Sequence, residues 1–370
     1  MSYSGGGGGG SGGGGAGGGG SAGATGGAAA GGAGSSYAKS SLDTAKAGAI
    51  RFNTDNNQME IYDGNQWTGI VGDSPEQHTG GTRGLWAGGE PLTSTVSFAT
   101  LETTGDTALF GDLQGGLANM GAASNRSRAI FAGGEPETST MTHFTFASQG
   151  NFTHDGQDLT SGRRFVTGMA GGNRGIFMGG SEPTRVNKID YISISNFGSA
   201  IDFGDLVEAK DMGGGGAWSN GVIGGGMGGF KSDGNNSTII EYVTISTLGN
   251  AATFGDLFES KHNIASASNS VRAIGAGGSP STVDTIQFIT MNSLGNSLDF
   301  GNLTDGTTSM NGCASRTRIV WGGGNIGPAK TNKMEYVQIM STGDAIDFGD
   351  LSQGSVQNPG SCSNGHGGLH

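Results

Sequence analysis

The sequence predicts an all-β chain, most of it a six-bladed β-propeller closed by its own C-terminal strand. Three observations carry that prediction. A Gly pair recurs six times between residues 78 and 370. A second column, Phe-Gly-Asp-Leu, keeps phase with it. The composition agrees: 78 of 370 residues are Gly and only 14% are charged. A Gly-, Ser-, Thr- and Asn-rich chain favours short strands and turns over helices.

The Gly-pair blocks are Trp86–Gly89, Phe131–Gly134, Phe177–Gly180, Ile223–Gly226, Gly275–Gly278 and Trp321–Gly324. The second column reads Phe110–Leu113, a degenerate Gln157–Leu159, Phe203–Leu206, Phe254–Leu257, Phe300–Leu303 and Phe348–Leu351. The spacing is about 45–52 residues. That length holds about four short strands, which is the size of a propeller blade. One such unit cannot bury both faces; six stacked in a ring can. Each blade is expected to have an inner strand before the Gly pair, a second strand through the pair, a third at an apolar alternation such as Ile239–Ile245, and an outer strand into the Phe-Gly-Asp-Leu block.

The ends suggest how the ring closes. Pro359–Leu369 resembles the inner-strand segment Asn311–Ser315, yet no blade follows it, while the first blade starts at Arg83. The last strand is therefore expected to complete the first blade. Cys362 then shares a column of small residues with Cys313, Ala267, Gly215 and Ala123, broken by Met169. The two cysteines lie 49 residues apart, one repeat. They are read as two unpaired small core residues, with a disulfide as the alternative.

Ahead of the repeat are two shorter segments. Residues 1–35 are nearly all Gly, Ser and Ala, and suit either a flexible tether or a polyglycine strand packed in a groove. Residues 36–77 read as a small β-module of three strands, 47–53, 58–62 and 66–71, joined by turns at Thr54–Asn57 and Asp63–Asn65. Alternation puts Ile50 with Phe52, and Met59 with Ile61, on one face. Three such strands are too little core to stand alone, so the module is expected to pack on a neighbour or to oligomerise.

A net charge of −12 argues against a nucleic-acid binder and against an anionic membrane surface. No apolar run approaches a membrane span, and no secretory signal is expected. Arg83, Arg128, Arg174, Arg272 and Arg318 recur at the start of the second strand, with Asn220 in blade four. With Asp112, Asp205, Asp256 and Asp350 they are read as structural pairings, each Arg bonding carbonyls or an Asp of its own or an adjacent blade. The histidines, His78, His143, His154, His262, His366 and His370, show no metal spacing, so no metal site is expected. No nucleophile elbow and no phosphate loop is present, and no cofactor is implied. The string Gly224–Gly229 is read as turns. Blade four carries the longest loop, Met227–Asn236, read as about six residues longer than its neighbours. Its Phe230, Lys231, Asp233, Asn235 and Asn236 are the candidate binding residues, on a polar rim suited to a glycan.

Two resemblances add to this reading. The string from Ala47 to Ile70 resembles a small β-module of tail-fibre and other virion proteins of tailed bacteriophages. The repeat is similar to kelch-type propellers in its Gly pair. It looks still more like the Gly-rich Gly-Gly/Phe-Gly-Asp-Leu repeat proteins of marine cyanophages and related phages. These resemblances imply a non-enzymatic virion structural protein, such as a tail fibre or other appendage. Its residues 1–77 would attach to other virion proteins and its propeller would meet a host-surface glycan or protein; the chain would also be a candidate homo-oligomer. The alternatives are a capsid or neck decoration protein without a receptor role, or a propeller-type glycan hydrolase, which would need two carboxylates in one pocket.

Overall fold

The computed structural model describes residues 46–53, 58–69, 82–152, 154–213 and 215–365. The Gly-rich arm, the Thr54–Asn57 turn, Ile70–Val71, His78, His366 and His370 lie outside the described residues. Every regular element among the described residues is a β-strand, and all pairings are antiparallel. The chain divides into two units, Met1–Asp73 and Ser74–His370.

The first unit contains a three-stranded sheet of Ile50–Asn53, Gln58–Tyr62 and Trp67–Gly69. The Asp63 carboxylate accepts the main-chain N–H groups of Asn65 (2.8 Å) and Gln66 (2.7 Å), which turns the chain between the last two strands. Ile50 faces Ile61 and Phe52 faces Met59 across the ladder, so these four side chains share one face.

The second unit contains six larger successive sheets and two two-stranded ones, Ser181–Glu182 with Thr184–Arg185 and Lys210–Asp211 with Phe230–Lys231. Sheet one joins Gly360–Ser363 from the C-terminal end to Arg83–Ala87, Thr93–Thr100 and Ala108–Leu117. Sheet two is Gly121–Ser124, Arg128–Ala132 and Met141–Thr145. Sheet three is Thr167–Gly171, Arg174–Met178, Lys188–Ser193 and Ile201–Asp205. Sheet four is Ala217–Ser219, Ile223–Met227, Ile239–Thr244 and Ala252–Asp256. Sheet five is Ala265–Ser268, Arg272–Ala276, Val283–Thr290 and Leu298–Thr308, extended by Asn325–Ile326 and Ala329–Lys330. Sheet six is Asn311–Ala314, Arg318–Gly322, Lys333–Gln338 and Ile346–Asp350.

Second strands are buried on both faces, because each sheet packs between two others. The apolar core is accordingly divided into six clusters, each shared by consecutive sheets. One of them joins Val320 and Phe348 of sheet six to Trp86 and Leu101 of sheet one. The first strands lie side by side in sequence order, and Gly360–Ser363 lies between Asn311–Ala314 and Gly121–Ser124.

The Phe-Gly-Asp-Leu column has a physical reason at each position. The Phe is buried edge-on against an aromatic of its own third strand, as in Tyr191–Phe203 (5.9 Å) and Tyr336–Phe348 (6.0 Å). The Gly lets the next sheet's turn approach: a Cβ at Gly111 would lie 1.9 Å from the Gly150 carbonyl oxygen. The Asp N–H is taken by a side chain of that turn, for example Asn250 for Asp205 (3.0 Å) and Asn296 for Asp256 (3.0 Å). The Leu is buried. The same linkage joins sheet six to sheet one: Gly105 N–H donates to the Phe348 carbonyl (2.7 Å) and Asp350 N–H to Asp106 (3.0 Å).

Five expectations need correction. In sheet four, Gly224–Gly226 is not the turn pair but the middle of the second strand; the pair is Gly228–Gly229, with φ of 63° and 123°. The first and third of these strand glycines make room for methionine side chains, and Gly225 for the Glu241 carbonyl, 1.7 Å from a Cβ there. A Cβ would lie 2.5 Å from Met169 Sδ at Gly224 and 2.4 Å from Met212 Sδ at Gly226. The corrected register puts Trp218, not Gly215, in the inner column, opposite Gly225. It also puts Ile223, not Asn220, in the Arg column; Asn220 instead accepts the N–H groups of Val222 and Ile223 in the turn (3.0 and 2.9 Å). Met227 pairs with Ile240, so the sheet-four loop exceeds those of its neighbours, sheets three and five, by two and three residues, and that of sheet six by one. The degenerate Gln157–Leu159 forms no outer strand, only a bridge between Thr140 and Asp158.

Candidate functional site

Two concavities compete as sites. The first lies between the inner strands, a cavity of about 50 Å³ lined by residues such as Ala123, Gly168, Ser266, Cys313 and Cys362. No Asp, Glu, Lys, Arg or His is among the described residues that line it. Three of its serines are spent on neighbouring strands: Ser124 donates to the Ser363 carbonyl (2.7 Å), Ser363 to Ala314 (2.5 Å) and Ser268 to Ser219 (2.7 Å). Both cysteines are free thiols and buried. Burial pushes the Cys362 thiol up to about 12 and lifts Cys313 well above the usual range. Protonated thiols are poor nucleophiles, so this cavity is a packing feature.

The second is a cleft of about 550 Å³ where the sheet-four loop meets the connection to sheet five. It is lined by Phe230, Gly234, Asn235, Asn236, Ser260, His262, Ser279 and Pro280. Local chemistry builds it. After the Gly228–Gly229 turn, Phe230–Lys231 pairs with Lys210–Asp211. Asp233 accepts the Asn235 N–H (2.9 Å), and Lys231 N–H donates to the Asn235 carbonyl (2.9 Å), closing a tight hairpin. Asn236 then returns to bridge Phe230.

The aromatic groups are held from three sides. The Arg185 guanidinium lies 4.1 Å over the Phe230 ring, and the His262 imidazole lies 4.9 Å from it. Arg185 is fixed by Asp211 (Nε to Oδ2, 2.8 Å). His262 Nδ1 lies 2.8 Å from Asn236 Oδ1. An amide oxygen only accepts, so Nδ1 carries the proton and Nε2 is left as an acceptor. Burial, with help from Arg185, holds His262 below its ordinary pKa, which keeps the ring neutral.

Of the candidate binding residues, Phe230, Asn235 and Asn236 line the cleft. Lys231 and Asp233 belong to the same hairpin but pair with each other (3.1 Å). The acids nearby are occupied: Asp211 by Arg185, and Glu208 by Ser237 (2.6 Å). No Asp or Glu is among the described residues that line the cleft. Its chemistry is that of an uncharged surface with amides, hydroxyls, an imidazole acceptor and aromatic edges.

The arginine column lies elsewhere and acts between sheets. Arg83 donates to the Phe146 carbonyl (2.6 Å), Arg128 to Ile194 (2.9 Å), Arg174 to Ile245 (2.8 Å), Arg272 to Ile339 (3.2 Å) and Arg318 to Glu102 (2.8 Å). Each reaches from one sheet to a carbonyl just past the third strand of the next, and Arg318 reaches from sheet six to sheet one. The aspartates of the second column receive no arginine; Asp112 and Asp256 accept hydroxyls of Ser94 (3.2 Å) and Thr238 (2.9 Å).

Sequence reasoning put the Ser181–Arg185 loop on the same rim but did not single out Asp211 or His262 as site residues. It also missed two fully buried ion pairs between sheets, Arg163–Asp190 (2.6 Å) and Lys210–Glu241 (2.7 Å). The available signal was a column four residues after the conserved Leu, where Arg163, Lys210 and Lys261 recur. Among the described residues no group of three His, Cys, Asp or Glu is placed to hold a metal ion. No protein-family model matches the chain, and no curated protein is significantly similar to it.

Proposed function

We propose that this chain is a non-enzymatic structural protein of a bacteriophage virion, a tail fibre or other appendage, and that its second unit is a closed six-bladed propeller that meets the host surface. Closure is supported by the C-terminal strand in sheet one and by the Arg318–Glu102 and Gly105–Phe348 bonds between sheets six and one. In this reading residues 1–77 attach the protein to the particle.

The observation that carries a recognition role is the cleft at Phe230 and His262. It is the larger of the two concavities and its lining is polar but uncharged. Such a lining suits a neutral glycan, whose hydroxyls meet amides and an imidazole while its apolar face meets aromatic edges. The same lining offers no pair of carboxylates for glycoside hydrolysis. The test is direct. The protein is located on intact particles by labelled imaging, and purified full-length chain is added to host cells before infection. Position at a distal appendage with reduced adsorption is the expected result. Particles that lack the protein and still adsorb normally would assign it to decoration instead.

A further inference from the structure

The small sheet of the first unit leaves one face uncovered. Ile50 (58% exposed), Phe52 (55%), Met59 (44%) and Ile61 (37%) form two cross-strand pairs on that face. The opposite face is complete in itself. There Arg51 pairs with Glu60 (2.7 Å) and lies 4.2 Å over Trp67, which packs against Tyr62 (5.4 Å). A short sheet of three strands needs a second apolar layer to be stable.

We propose that this layer is a second copy of the same sheet, so that Ile50, Phe52, Met59 and Ile61 form an interface between copies of the chain. The flanking sequence is a poor source for the missing layer. Residues 1–45 carry only Met1, Tyr3, Tyr37 and Leu42 as large apolar side chains, and residues 70–81 only Ile70 and Val71. Neither segment has the alternation that would match a pleated face. A second copy supplies an identical apolar face. It also solves an electrostatic problem: each chain carries a net charge of −12, yet this face has no charge, and Arg51 and Glu60 point the other way. Two copies therefore meet there without opposing like charges. Face-to-face packing of two sheets buries all four side chains of each copy.

The full-length chain is the material for the test, with molar mass measured by light scattering across a concentration series. The wild type is expected to form a multimer. Phe52→Glu and Phe52→Lys are each expected to be monomeric, and mixing the two variants is expected to restore association through opposite charge. The heat-unfolding transition of the second unit serves as the folding control and is expected to be unchanged. A wild type that is monomeric at high micromolar concentration overturns the proposal. So does a multimer that neither charge disturbs, or a monomer that instead captures another virion protein through Phe52.

Discussion

Sheets three and four and sheets four and five meet through equivalent surfaces, yet they are linked differently. Between three and four, Arg174 donates to the Ile245 carbonyl, and Lys210 and Glu241 form a fully buried ion pair. Between four and five, Ile223 stands where the arginine would be, so Tyr242 has no guanidinium over it. Lys261 repeats the position of Lys210, but Gln287 replaces the carboxylate, and the ion pair Lys261 makes is with exposed Glu259 at 3.8 Å. What persists are the inner-strand bonds of Ser219 and Ser268 and the outer bond from Gly295 to Phe254. The cleft opens over this less latched contact. The arginine latch recurs at the other five contacts, and Ile223 replaces it beside the surface suited to binding.

The largest effect should come from breaking the better latched contact. Glu241→Leu leaves Lys210 buried without its partner and should cost about 3–5 kcal/mol in urea unfolding. The equivalent Gln287→Leu removes a neutral hydrogen bond to Ser297 (2.8 Å) and should cost only about 1 kcal/mol. Equal losses would mean that the two contacts are energetically alike. The double change Lys210→Met with Glu241→Leu should recover most of the loss, because no charge is then stranded.

Next in size is the arginine latch. Arg174→Ala loses a carbonyl bond and the stack on Tyr191 (4.8 Å), about 1–2 kcal/mol together. The complementary Ile223→Arg should raise the unfolding midpoint by restoring the latch between sheets four and five. A midpoint that falls instead would show that sheet four cannot carry the repeat pattern.

A smaller effect is the pH dependence. Burial holds both His143 and His262 below their ordinary pKa, aided by Arg128 and Arg185 respectively. The unfolded chain then binds more protons, so this share of stability is complete above about pH 6.5 and is lost as pH falls through the folded value. Unfolding midpoints should decline on acidification through that window. His262→Gln should flatten the decline, and an identical slope in the variant would remove His262 from the account.

Much of this architecture was legible because the repeat is written in residues with local reasons. The Phe-Gly-Asp-Leu block marks a buried ring, a close approach and a capped N–H, and these recur at fixed spacing. Sheet four misled because Gly224–Gly226 imitates the turn pair. Those glycines answer to Met169, Met212 and the Glu241 carbonyl, which lie far away in sequence and leave no trace in the local pattern. The cleft was legible only from its own hairpin: Phe230, Asn235 and Asn236 were visible as a loop outside the repeat. Arg185 and His262 lie 45 residues before and 32 after Phe230 and join it through stacking that no spacing rule encodes.

The most direct test of the recognition role compares wild-type full-length chain with Phe230→Ala for binding to host cells. Removing the ring deletes the centre of the Arg185–Phe230–His262 stack but no latch between sheets. Binding by the wild type, weakened at least about tenfold (~1.4 kcal/mol) in the variant with little change in unfolding midpoint, is the expected result. Undiminished binding by Phe230→Ala would contradict the assignment of recognition to this cleft.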